Sequence, residues 1–173
     1  MTRQIVDGTP ITSRENIFLL LTYGCHNRKL VLRLIKIREM NLVSTRIIAT
    51  NVNELVKFYE QVTGMSVVQY TPDFAELQTE AATLAIGSTN TLQFFGEDEV
   101  AKAAQNRSAI IEFKVQDVDK EYERLAAYLE HHIVQKPTTM PWGNKSFLFR
   151  DPDGNLVNLF TPVTPEAIRK FAN

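Results

Sequence analysis

One offset constrains this chain more than any composition figure. Val52 and Val118, Val68 and Val134, and Gln69 and Gln135 are each 66 residues apart, so one helix-and-strand pattern maps onto a second. Around the first copy, Leu42 to Thr50 alternates as a strand does. Val52, Leu55, Val56, Tyr59 and Val62 then recur at helical spacing until Gly64 supplies a C-terminal stop. Three further strands are predicted at Met65 to Thr71, Phe74 to Ile86 with a break, and Asn90 to Phe95, with Pro72 and Gly87 as punctuation. In the second copy Ala109 to Val115 is a strand, and Val118, Tyr122, Leu125 and Leu129 mark a helix. Ile133 to Thr139, Lys145 to Arg150 and Asn155 to Thr161 complete it as strands. The prediction is an α+β fold of two βαβββ modules, over 40–98 and 106–162, with a C-terminal helix over 164–172.

Strand alternation sorts the faces. Ile47, Ala49, Ile111, Phe113, Val115, Leu92, Phe94, Val157 and Leu159 share one parity and are all apolar, as a helix-covered side requires. The opposite parity carries Ser44, Arg46, Ile48, Gln93, Phe95, Ile110, Glu112, Lys114, Asn158 and Phe160. A sheet with one dry face and one mixed, concave face is a candidate small-molecule site.

A chain of 173 residues that is 44% hydrophobic can bury a real core. Its net charge of −1 gives no bulk field that would attract nucleic acid. Seven Lys/Arg against three Asp/Glu in residues 1–39 make a basic leader, which is expected to lie outside the fold because no apolar periodicity ties it to the modules. Cys25 has no internal disulfide partner, which fits a reducing cytoplasm. The longest early apolar run, Ile17 to Leu21, is too short to span a bilayer, so no membrane role is expected. Thr22 stands where a lipoprotein cleavage site would need an aliphatic residue before Cys25.

Several smaller features have ordinary explanations. His131 and His132 are adjacent and cannot share a helix face, so they read as surface or capping residues, and His26 has no partner in the sequence. Asp151-Pro152-Asp153-Gly154-Asn155 lacks the spacing of a calcium loop and reads as a hairpin turn. Arg46 and Glu112 are also 66 residues apart and both point to the mixed face. They form either an ion pair or an anion anchor and a base. Phe95, Phe147, Phe149 and Phe160 offer aromatic walls, and Trp142 lies in the loop Met140-Pro141-Trp142-Gly143-Asn144, where a large ring needs cover or a ligand.

The chain resembles the vicinal oxygen chelate superfamily of glyoxalase I, extradiol dioxygenases, fosfomycin-resistance and bleomycin-binding proteins. The resemblance covers Asn41 to about Pro162. It rests on the paired βαβββ reading and on Asn51-Val52-Asn53-Glu54-Leu55-Val56-Lys57-Phe58-Tyr59-Glu60 leading to Thr63-Gly64-Met65. Val115-Gln116-Asp117-Val118-Asp119 and Phe149-Arg150-Asp151-Pro152-Asp153-Gly154-Asn155 complete it. It implies two modules curling into a cup whose floor binds the ligand, and a homodimer. In enzymatic members of the family a divalent metal is held there, and the matching positions are Ser44, Gln93, Ile110 and Asn158. None is a His, Asp or Glu, so no metal and no cofactor is expected.

The expected role is metal-free binding of an organic ligand by Ser44, Arg46, Gln93, Phe95, Ile110, Glu112, Trp142, Asn158 and Phe160. The alternatives are a metal-dependent glyoxalase- or dioxygenase-like enzyme, with Glu112 as the best catalytic candidate, and a dimerisation domain without ligand.

Overall fold

The computed structural model describes residues 17–20, 33–36, 40–96 and 100–172, the first two stretches as backbone. The chain divides into two compact units, Met1–Leu42 and Val43–Asn173. Within the first, β1 (Ile17–Leu20) and β2 (Arg33–Lys36) pair antiparallel, with Ile17 opposite Lys36. The leader therefore contains a strand pair of its own. Cys25, His26 and most of the basic stretch lie outside the described residues.

The second unit opens with β3 (Ser44–Ala49), α1 (Val52–Thr63), β4 (Val68–Thr71), β5 (Phe74–Gln78) and β6 (Thr83–Ser88). It continues with β7 (Ile110–Lys114), α2 (Val118–Leu125), β8 (Ile133–Thr139), β9 (Asn144–Arg150), β10 (Leu156–Pro162) and α3 (Pro165–Lys170). Each module forms a four-stranded sheet of the same order, β3-β6-β5-β4 and β7-β10-β9-β8. The first and last strands of each module run parallel, and the other neighbours antiparallel. The fold is α+β, with two mixed sheets.

Local chemistry explains the shared layout. Both helices start one residue after a side-chain cap, and the caps are themselves 66 residues apart: Asn51 accepts from the Glu54 amide, and Asp117 from those of Asp119 and Lys120. Gly64, at φ 68°, ends α1 in the left-handed region and donates to the Glu60 carbonyl. The second helix stops at Leu125, short of the predicted Leu129. The chain then turns through residues 126–132, with Leu129 still fully buried.

The last strand of the first module departs from the sequence reading. Asn90 to Phe95 is not a strand: Thr89–Leu92 is a 3-10 turn capped by Ser88, and Gln93 to Phe95 follow as turn and bend. The predicted run Phe74 to Ile86 instead holds two strands, split where the Thr79 side chain and amide bond to Ala82. Leu92 and Phe94 consequently leave the helix-facing set, and Leu84 and Ile86 take their place, both buried.

One core joins the modules. Ile47, Ala49, Leu77 and Ile86 from the first sheet and Phe147, Phe149, Val157 and Leu159 from the second pack with both helices. Phe58 of α1 meets Phe149, and Tyr59 meets Phe113 of β7. Arg124 of α2 donates to the Gln61 and Val62 carbonyls at the end of α1, which have no partner within their own helix. Among the described residues no helix is long and apolar enough to cross a membrane.

Candidate functional site

Strand register locates each concave face. In the first module Ser44, Arg46 and Ile48 of β3 lie opposite Thr83, Ala85 and Gly87 of β6, with Phe74 and Glu76 of β5 beyond. In the second, Ile110, Glu112 and Lys114 lie opposite Leu156, Asn158 and Phe160, with Leu148 and Ser146 of β9 beyond. Ser44, Arg46, Ile110, Glu112, Asn158 and Phe160 therefore stand where alternation put them.

Gln93 does not. It is exposed in the turn after the 3-10 segment, away from any strand. Arg46 corresponds to Glu112, and the residue opposite Arg46 is Ala85 where the residue opposite Glu112 is Asn158. Ala85, not Gln93, is thus the first-module counterpart of Asn158. Phe95 is also off the sheet, but its ring lies 5.6 Å from the Arg46 guanidinium, and Phe74 lies 4.9 Å from the same group. An exposed arginine flanked by two rings is the main feature of the first concave face. Gly87 leaves it room, since a Cβ there would crowd Thr91 and approach Arg46 Cδ.

On the second face, Asn158 Nδ2 donates to Glu112 Oε1 at 2.8 Å. Glu112 is thus bonded to its sheet neighbour and not to Arg46, and no hydrogen bond or ring contact among the described residues joins the two concave faces. Phe160 stacks at 5.2 Å on Phe171, which follows α3, and Lys114 Nζ donates to the Phe171 carbonyl at 3.0 Å. Trp142 is exposed in the turn between β8 and β9. An open groove of about 1960 Å³ runs along the edge strands β3 and β7, with Arg46, Glu112, Trp142 and Phe171 in its lining.

The four positions matched to the family's metal ligands do not fit a divalent cation. With Ala85 replacing Gln93, the set is one hydroxyl, one amide already bonded to Glu112, and two hydrocarbon side chains. Among the described residues no group of three or more His, Cys, Asp and Glu side chains is placed to hold an ion.

Sequence reasoning missed Phe74 and Ser146, although strand alternation places both on concave faces once β5 and β9 are known. It also read Asp151 to Asn155 as a turn and no more. The turn is there, with the Gly154 amide donating to the Asp151 carbonyl, but the Asp151 side chain is buried. Its carboxylate accepts from Tyr59 Oη at 3.0 Å and from both the amide and Nδ2 of Asn155 at 2.8 Å. Burial raises the Asp151 carboxyl above its ordinary range, although these hydrogen bonds pull the other way. Burial, reinforced by the Asp151 charge, pushes Tyr59 well above the usual phenol value, so it stays a donor. This network clamps α1 of the first module to the β9–β10 turn of the second. His132 belongs to the same packing, 6.3 Å from Phe58, and is not at a helix end.

Comparison with known proteins agrees with this architecture. The chain is 25% identical over 130 residues to the uncharacterized protein YraH of Bacillus subtilis, covering 70% of this chain and 98% of that one. A glyoxalase/bleomycin resistance protein/dioxygenase family enzyme from Burkholderia phytofirmans superposes with a TM-score of 0.63 at 14% identity, over 72% of this chain and all of the other. A glyoxalase/bleomycin resistance protein/dioxygenase from Nocardioides gives 0.62 at 18% identity, over 76% and 89%. At those identities the structures speak for the fold. The family model for the Glyoxalase/Bleomycin resistance protein/Dioxygenase superfamily matches residues 41–159, both modules nearly end to end, and the chain belongs to that superfamily.

Proposed function

We propose that this protein binds a small organic molecule on its concave faces, without a metal, as a homodimer. The observation that carries the reading is Arg46. It is exposed, held between Phe74 and Phe95, and has no acidic partner among the printed contacts of the described residues. A guanidinium kept in place by rings can meet the anionic or polar group of a ligand while those rings meet its apolar body. Ser44 and Ile110, exposed at the starts of β3 and β7, extend the contact surface. Dimerisation fits the open edges of the same two strands, since an unpaired strand edge bordered by a groove invites a second sheet. A cytoplasmic setting accords with the single cysteine.

The test is a thermal-shift screen of small organic acids and aromatics, run beside metal analysis of the purified protein. A ligand should raise Tm, Arg46→Ala should abolish most of the shift, and chelator should leave Tm unchanged. One tightly held metal ion per chain, lost with activity on chelation, would favour the enzyme reading instead. Light scattering should return twice the chain mass at micromolar concentration.

A further inference from the structure

The second concave face is already covered by the protein itself. Ser146, Asn158 and Phe160 lie on the side of the sheet away from the common core, yet they are only 2%, 7% and 5% exposed. Over them the chain leaves β10, bonds to the Gly143 carbonyl through the Val163 and Thr164 amides, forms α3 and returns Phe171 onto Phe160.

Beneath this cover Ser146 Oγ, Asn158 Oδ1 and Asn144 Oδ1 are buried without a hydrogen-bond partner. The Asn158 amide is oriented by its bond to Glu112, so the atom left over is an acceptor. A fold seldom leaves such atoms together unless something else meets them. The cover is lightly attached: α3 is six residues long and of these only Ala167 is buried, while Phe171 is held by one ring contact and one lysine bond. A helix so short has no stability of its own and opens at low cost.

We infer that α3 and Phe171 form a displaceable cover over a ligand subsite on the second module, and that this subsite takes a hydrogen-bond-donating head group, an amine or a hydroxyl. This rests on the reading of the concave faces as a small-molecule site. Three oxygens able to accept, beside the Glu112 carboxylate, suit a donor and repel an anion. The two modules then read opposite ends of one ligand, with Arg46 taking the acceptor-rich end.

The experiment uses the full chain with phenethylamine and phenylacetate as probes, which share a ring and differ in the head group. In hydrogen exchange the amides of α3 should exchange far faster than those of β10. Phe171→Ala should tighten phenethylamine binding about tenfold and leave phenylacetate, which depends on Arg46, unchanged. Lys114→Met, which frees the Phe171 carbonyl, should act in the same direction. Ser146→Ala should raise the Tm of the free protein by about 2–4 °C, by removing a buried unpartnered hydroxyl, while weakening phenethylamine binding several-fold. Protection of α3 equal to that of β10, or phenethylamine affinity indifferent to Phe171 and Lys114, would overturn the cover. A Phe171-dependent gain for phenylacetate would overturn the donor assignment while leaving small-molecule binding intact. If neither probe binds any variant at millimolar concentration, this inference falls, and the wider screen then decides whether the binding reading falls with it.

Discussion

The two modules share a backbone plan and differ in what they do with it. Each places its first and last strands parallel, caps its helix one residue ahead, and turns its apolar parity toward one core. The first leaves its concave face open, with an arginine between rings. The second closes its own face with the C-terminal segment and buries polar atoms beneath it. Duplication of a fold thus conserves the layer that faces the core, where packing tolerates little, and frees the opposite layer to diverge.

The largest expected effect breaks what joins the modules. Asp151→Ala removes the acceptor of Tyr59 and of two Asn155 donors and should cost about 3 kcal/mol in denaturant unfolding, with one transition retained. If the loss stays within 0.5 kcal/mol or so, the modules are held by apolar contact and not by this clamp. Next comes Gly143→Ala. Gly143 sits at φ 88° and a Cβ there would collide with the Thr164 side chain, so about 2 kcal/mol of destabilisation is expected, concentrated in α3 by hydrogen exchange.

Arg46→Ala and Asn158→Ala sharpen the contrast between faces. Arg46 has no charged partner in its own chain and is exposed, so its loss should leave stability within about 0.5 kcal/mol while ligand affinity drops. Asn158→Ala strips Glu112 of its donor and should cost about 1 kcal/mol of stability. Equal costs at the two positions would erase the distinction.

A smaller effect follows from pH. The folded Asp151 carboxyl titrates above its ordinary value, so its contribution favours folding below the unfolded pKa and is lost as pH rises through the folded one. The stability of the wild type relative to Asp151→Asn should therefore improve as pH falls from neutrality toward about 4, read from urea midpoints. A gap that narrows on acidification would reverse the assignment. The smallest effect is the leader: a chain starting at Met40 should melt as cooperatively as the full chain.

The parts of the fold legible in the sequence are those where period and punctuation agree. Helix spacing, Asn51 and Asp117 as caps, and Gly64 as a stop fix both first halves. The last strand of the first module is less legible because Thr79 to Ala82 contains no Gly or Pro, so two strands read as one. Thr89 to Phe95 then offers a convincing false partner. The one-residue mismatch between Gln93 and Asn158 was the visible warning, for the true correspondence puts Thr83 with Leu156, 73 residues on. Concave residues on β3, β7 and β10 follow from parity. The cover by α3 depends on how a six-residue helix folds back, and the burial of Asp151 on a contact 92 residues away in sequence, which no local pattern encodes.

The Tyr59–Asp151 bond sets a limit on the ancestry of such a chain. In an open array of repeats each unit touches its neighbours in series, and units can be added or removed with gradual consequences. Here a phenol from the first repeat satisfies a buried carboxylate in the last turn of the second, and Arg124 caps the helix of the first from within the second. Neither half can be excised without stranding a polar group in the other. Once those two contacts arose, the duplicated unit ceased to be two domains and became a single object of selection, able to vary its outer faces but not to return to one copy.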